Sequence, residues 1–394
     1  MRIMTSKSLC FPKFNPAILF CLIVAGSWIS GVYGEEVRLK PKISIRETYN
    51  DNIDFVIKDD ERDELDDFIT VYKPSVAVTR NTEKSRILLD ASLEIEDYQD
   101  KDLDEVNQYY EGTLERDLSS SVTINGSSSF IRDTTLDNEL EDTGLIYTRS
   151  ERTIFRFKPG LAWRPSEVDN FSFNIGYTDA RYEEEKSYSD YSDYDGVLSW
   201  GHTVSPEGAY FSISTGYRFT DFNTSEVQTY SMYSGLNLPL NPIWEVKFWV
   251  GIRRTISEYD QEETERNWGG IGYLSIERYF EAGSLSAELS KNLVPSGTGQ
   301  SIERDRAKVN IDYRFTESLT GRLGGSWTSS ESESSYRSKD DEYYSINSFL
   351  RYRLGENITT RISYTYSQRE NLNNDAEAYR NVVFVQVTAS LVNN

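Results

Sequence analysis

The sequence predicts an all-β fold: a transmembrane, antiparallel up-and-down β-barrel of about eighteen strands (range roughly 16–18), with short periplasmic turns and longer acidic extracellular loops. Three observations predict it. An export segment opens the chain, apolar and polar residues alternate with a period of two along most of its length, and the connections alternate between short and long.

The export segment has basic residues Arg2, Lys7 and Lys13 ahead of an apolar run from Pro16 to Ile29, closing at Val32-Tyr33-Gly34. That charged, apolar, small-residue order is the layout of a secretory signal, so 1–34 reads as signal and 35–394 as a single outer-membrane barrel domain. Both cysteines, Cys10 and Cys21, lie in the signal, and the exported part needs no disulfide framework. The formal net charge of −22 repels phosphate backbones and excludes a nucleic-acid partner.

The alternation begins at once. Val37, Leu39, Ile43 and Ile45 share one parity, while Arg38, Lys40, Lys42 and Arg46 share the other. Ile87, Leu89, Leu93 and Ile95 alternate likewise with Arg86, Asp90, Glu94 and Glu96, and Val383, Val385, Val387 and Leu391 close the series. Each such segment is a strand with one apolar face, long enough to cross a bilayer at a tilt. No segment shows helical periodicity. Short turns are expected at Asn81-Thr82-Glu83, Ser205 to Gly208, Asn241-Pro242 and Gly355 to Asn357. Long hydrophilic loops are expected at 51–66, 133–147, 183–189, 294–301 and 329–340.

Outward-parity aromatics form two groups. Trp163, Phe171, Trp200, Phe211, Trp244 and Phe315 lie near the short turns, and Tyr49, Phe68, Phe130, Tyr217, Trp268, Trp327 and Tyr366 near the long loops. Two such belts mark the two interfaces of a bilayer and make lipid the expected outer partner. A soluble β-sandwich obeys the same parity. The export segment, the two-length rhythm of connections and the number of apolar faces to be hidden favour the barrel. Pro41, Pro74, Pro159 and Pro239 fall inside strands, where each removes a ladder donor, so irregular pairing is expected there.

A barrel of this size has a bore wider than its own side chains fill, so water or folded-in loops must occupy it, and 51–66 and 133–147 are long enough to constrict it. The inner parity is unevenly charged. Arg38, Lys40, Lys42 and Arg46 open the chain and Arg304, Arg306, Lys308, Arg314, Arg322, Arg351, Arg353 and Arg361 crowd its last third, and closure makes these neighbours. Asp90, Glu94, Glu96, Glu111, Glu115, Asp193 and Asp195 form an acidic wall from earlier strands. Walls of opposite sign set a field across the bore that selects among ions, and the basic arc points to an anionic solute. The competing reading is a wet wall with internal ion pairs.

Catalysis has little material. The lone histidine, His202, sits on the lipid-facing parity at the short-turn rim, and with no cysteine after the signal an enzyme is not expected. No cofactor is implied and no Cys/His cluster suits zinc. Asp51, Asp54, Asp59, Asp60, Asp63, Asp66 and Asp67 match no calcium-loop spacing and read as a solvated loop.

Pro41-Lys42-Ile43-Ser44-Ile45, Glu47-Thr48-Tyr49-Asn50-Asp51-Asn52-Ile53, Asp67-Phe68-Ile69-Thr70 and Lys73-Pro74-Ser75-Val76 together resemble the opening of the β-barrel porin 2 family, outer-membrane proteins that accompany exosortase and exopolysaccharide loci. The likeness covers about the first two strands. It implies an outer-membrane location and a link to surface polysaccharide, and supplies no catalytic residue. Two functions follow: a porin-like channel or conduit for small solutes or exported polysaccharide, or a surface barrel whose tyrosine-bearing loops, with Tyr188, Tyr191 and Tyr336, hold a saccharide or protein partner.

Overall fold

The computed structural model describes residues 36–56, 64–99, 103–143, 148–184, 187–259, 264–333, 340–372 and 376–391. Residues 1–35, which hold the expected signal, and Asp59, Asp60, Asp63 and Tyr336 lie outside the described residues. In chain order the elements are β1 (Glu36–Asn50), β2 (Asp67–Asn81), β3 (Ser85–Tyr98), β4 (Glu105–Asp117), β5 (Val122–Thr134), α1 (Thr135–Thr143), β6 (Glu151–Trp163), β7 (Asp169–Tyr182), β8 (Tyr191–Thr203) and β9 (Tyr210–Phe222). They continue with β10 (Ser225–Asn241), β11 (Trp244–Tyr259), β12 (Glu265–Phe280), β13 (Gly283–Ser296), β14 (Gln300–Arg314), β15 (Leu319–Ser332), β16 (Asp340–Arg353), β17 (Ile358–Asn371) and β18 (Ala376–Ser390).

Each strand pairs antiparallel with the next, and β18 returns to β1 in a ladder from Lys42↔Ser390 to Asn50↔Val382. The result is a closed 18-stranded barrel, in which closure leaves no sheet edge at that seam. The parity read from sequence sets the two faces. Ile45 on β1, Ile213 on β9, Leu289 on β13, Ile346 on β16 and Val385 on β18 point outward and are exposed, an apolar exterior suited to hydrocarbon.

Aromatic pairs mark both ends of that exterior. Trp163 stacks on Phe171 at 5.4 Å and Tyr313 meets Phe315 at 5.0 Å near the short turns. Tyr49 meets Phe68 at 5.0 Å and Tyr217 meets Tyr230 at 5.1 Å near the long loops. Pro74, Pro159 and Pro239 sit at the expected irregularities: the β2–β3 ladder skips from Tyr72 to Ser75, the β6–β7 ladder from Phe157 to Gly160, and the β10–β11 register shifts between Pro239 and Asn241.

The interior is uneven. Toward the short turns, inner-face Lys42, Arg86 and Asp90 remain exposed, whereas nearly all the buried side chains lie at the long-loop end. There the sequence reading needs two corrections. Within 133–147 the chain forms helix α1, whose two core leucines, Leu136 and Leu140, are four apart on one face; with so few apolar residues in one short helix, no period was legible. The 294–301 segment is not an open loop but the tip of the β13–β14 hairpin, ending at Ser296↔Gln300 with Gly299 at φ +79°.

These segments fill the mouth. Leu136 and Leu140 pack with Phe55, Tyr343 and Ala378, while Ile154, Ala180, Tyr182, Tyr188, Tyr191, Phe222 and Val227 make a second cluster. Gly297 lies so close to the Tyr182 ring that a Cβ there would sit 2.6 Å from it. The bore is therefore wet toward the short turns and packed toward the long loops.

Two outcomes test this division. Val385→Arg, in the outward belt, should lower refolding stability in vesicles by about 2–4 kcal/mol in a denaturant titration, while Val385→Leu should be near neutral. Leu140→Ala should cost about 2–5 kcal/mol of local stability, read as faster amide exchange across α1 with the barrel strands still protected.

Candidate functional site: the inner wall and the packed mouth

Closure brings part of the basic arc together on two phenyl rings. Phe349 on β16 and Phe384 on β18 both face inward, and Arg361 on β17 lies between them, 4.1 Å from the first ring centroid and 5.2 Å from the second. Arg351 and Arg322 approach Phe349 at 5.4 and 5.6 Å, and Arg46 approaches Phe384 at 5.6 Å. A guanidinium over a ring face is attracted by the ring quadrupole, so the phenyls gather cations that otherwise repel. The ladder forces the crowding, since Arg351 stands directly opposite Arg361.

Their neutralisation differs. Arg322 is clamped by both Asp312 oxygens at 2.7 and 3.0 Å, and Arg46 leans toward Glu94 and Glu96 at 3.7 and 4.0 Å. Arg351 and Arg361 have no carboxylate within 4.0 Å among the described residues, and the buried Nε of Arg361 lacks a hydrogen-bond partner. Forked donors beside a flat apolar ring suit a carboxylate or phosphate.

The remaining predicted basic residues do not join this cluster. Arg304, Arg306 and Lys308 climb β14, with Lys308 opposite Glu288. Arg314 and Arg353 donate to the Glu281 and Glu317 carbonyls at 3.3 and 3.1 Å on the short-turn rim, near which Arg38, Lys40 and Lys42 are exposed.

The acidic wall is less separate than its sequence positions suggest. Glu94 accepts from Lys73 at 2.5 Å, Glu96 accepts from the Tyr98 hydroxyl at 3.2 Å, and Asp193 accepts from Thr220 at 2.7 Å with Arg218 3.6 Å away. Asp195 stands opposite Arg218 and Glu115 opposite Arg86, whereas Asp90 stands opposite Glu111, like beside like. Much of this wall is thus ion-paired, and Arg46 joins it to the arc.

The mouth is pinned by charge as well as packing. The fully buried Arg152 donates to Asp133 at 2.7 and 3.3 Å and to Glu139 of α1 at 2.6 Å. Glu139 also accepts from the Tyr182 hydroxyl at 3.1 Å and, from the far hairpin, the Gly297 N–H at 3.4 Å. Arg253 donates to Glu303 and Glu333, while Arg218 donates to the Leu293 carbonyl at 2.9 Å. Burial opposes the charge on Arg149, but bonds to Glu105 and Tyr98 hold its guanidinium above its ordinary range.

Tyr188 and Tyr191 do not line an outer binding loop. Both are buried in the mouth, Tyr188 stacked on Tyr182 at 5.0 Å, and burial raises the Tyr188 phenol, which donates to the Thr148 carbonyl at 2.7 Å. The acidic loop residues are likewise engaged: Asp51 accepts the Asn381 N–H and side-chain amide at 2.6 and 2.7 Å, and Asp66 accepts from Tyr49 at 3.3 Å. His202 bonds Asp169 at 3.0 Å on the outward short-turn rim beside Trp200.

Phe349, Phe384, Glu139 and Arg152 were not singled out from sequence. The phenyls carried a signal, being large apolar residues on an otherwise polar parity two positions from Arg351 and Gln386. The Arg152–Glu139 pair carried none, because the turn that joins it depends on α1.

By sequence the chain matches no protein family and no curated protein. Its shape is similar to that of Pseudomonas aeruginosa OccK2 (OpdF) in complex with glucuronate, with a TM-score of 0.48, 12% identity, and coverage of 90% of this chain and 98% of that one. It is also similar to Acinetobacter baumannii OccAB4, with a TM-score of 0.48, 8% identity and the same coverage, and to Pseudomonas aeruginosa OpdL, with a TM-score of 0.45, 11% identity and coverage of 90% and 99%. The barrel and the chemistry of its inner wall stand on this chain's own strands and residues.

Proposed function

We propose that this chain is an outer-membrane, porin-like barrel that admits small anionic solutes along its basic inner arc and restricts them at the packed long-loop mouth. The single observation that carries the reading is the Arg351–Arg361 pair, opposed across one ladder with no carboxylate beside it among the described residues. Carboxylates and phosphates are the chemistries such a pair receives. The likeness of the first two strands to the β-barrel porin 2 family extends the solute class to acidic surface polysaccharide. The packed mouth favours a second reading, a barrel that serves by what its outer end binds.

Planar-bilayer recording separates them. With Arg351 and Arg361 both replaced by Glu, the reversal potential in a salt gradient should move toward cation preference; an unchanged ion preference rejects the basic arc as the selectivity element. Arg152→Ala strands Asp133 and Glu139 in a buried site, a loss of about 3–5 kcal/mol, and should raise single-channel conductance by loosening the mouth. A folded barrel silent in both forms supports the second reading.

A further inference from the structure

One stretch of the inner wall carries aromatic rings on which no cation rests. Met232, Phe248 and Val250 point outward and are exposed, so parity turns Tyr233 on β10, Trp249 on β11 and Tyr273 on β12 into the bore, where all three are half-buried. The rings are contiguous. Tyr233 meets Trp249 at 5.1 Å, and Trp249 meets Tyr273 at 6.0 Å with the planes 15° apart. The ladder makes room for them, since Trp249 stands opposite Gly235 and Tyr233 opposite Gly251. A Cβ on Gly235 would lie 2.8 Å from the Trp249 Cβ, and one on Gly251 would lie 2.4 Å from the Tyr233 Cβ.

Other inward rings are already engaged. Phe349 and Phe384 carry the arginines of the arc, and Tyr109 carries Lys73 at 5.4 Å. Among the described residues, no guanidinium or ammonium is seated on Tyr233, Trp249 or Tyr273. Polar groups border the strip instead. Two residues nearer the short turns, one ladder level runs Asn237↔Lys247↔Ser275↔Glu288 across β10 to β13. The Lys247 side chain is 41% accessible there, so solvent reaches the wall at that level, and Glu288 accepts from the Tyr273 hydroxyl at 3.3 Å. On the β9 side the inner positions beside the rings are only Ser212, Ser214 and Gly216, too short to wall the strip off.

We propose that this strip binds a saccharide inside the bore, the C–H face of a pyranose against Trp249 and Tyr273 and its hydroxyls toward Asn237, Lys247 and Glu288. A pyranose is apolar on its ring face and polar around its edge, so it needs a flat apolar surface bordered by donors and acceptors. The border has both: an ammonium donates, a carboxylate accepts, and an amide does either. A plain aromatic acid would use the rings and leave that border idle. The inference deepens the proposed function and rests on its premise that solutes enter the bore, here from the wet short-turn end: the arc takes an acid group, and the strip takes the uncharged ring.

The test places the full chain in micelles of lauryldimethylamine oxide, whose head group bears no sugar, and records saturation-transfer difference NMR of maltotriose. Irradiating the protein's aromatic protons should give transfer to the ring C–H protons of the sugar. Trp249→Leu with Tyr273→Leu should abolish the transfer and Trp249→Phe should keep it, heat-modifiable migration on a gel showing each barrel to be folded. Replacing Arg351 and Arg361 by Glu should leave it unchanged, because maltotriose is uncharged. Transfer that survives in the double leucine variant overturns the strip, and transfer to benzoate but not to maltotriose overturns the saccharide. A folded wild-type barrel without transfer to maltotriose overturns the inference while the reversal-potential measurement still decides the basic arc, so the two readings fail separately.

Discussion

The N–H and C=O groups along a strand edge need partners, and that constraint organises this chain. It makes a strand acceptable only inside a ladder and a ladder acceptable only when its two ends meet, as β1 and β18 do. Once the ladder is closed, parity does the rest. Every second residue is committed to the exterior, and the polar remainder is committed to one bore regardless of how its charges get along.

That enforced company explains the inner wall. Arg351 and Arg361 are opposite each other because their strands are in register, not because their charges attract. The wall manages this with phenyl faces under the cations and with carboxylates where the ladder brings one within reach, as Asp312 is to Arg322. Where it brings none, a cationic surface remains toward the wet part of the bore. The same logic makes the mouth costly to rearrange: Arg152 is fully buried, and its two carboxylates are tolerable only in its presence.

The barrel was legible because it rests on period two and on turn chemistry, both local. Val37 to Ile45 shows its face within nine letters, and Asn241-Pro242 shows its turn. The charged residues of the bore were legible as a parity, and the order of strands as neighbours. Pairing across the bore was not, since nothing in Glu139 or Gly297 announces that residues so far apart in sequence will meet. Helix α1 was hidden for another reason: two leucines in a short acidic segment are too few to display a helical stripe, and the helix is held by what surrounds it. The hairpin at 294–301 read as a loop because its Gly297 and Gly299 are turn residues whichever way the strands beside them lean.

Among the described residues, the mouth draws on the connections after β1, β3, β5, β7, β13 and β15. Ser44 and Thr388, whose hydroxyls meet at 3.0 Å across the last seam, are 344 residues apart, and such distant pairing is slow to establish. Phe55 sits on Tyr343 and Glu139 reaches Gly297 only when the strands carrying them already stand in a ring. The stopper therefore cannot be complete before the ring is, so its packing reports that the ring has closed.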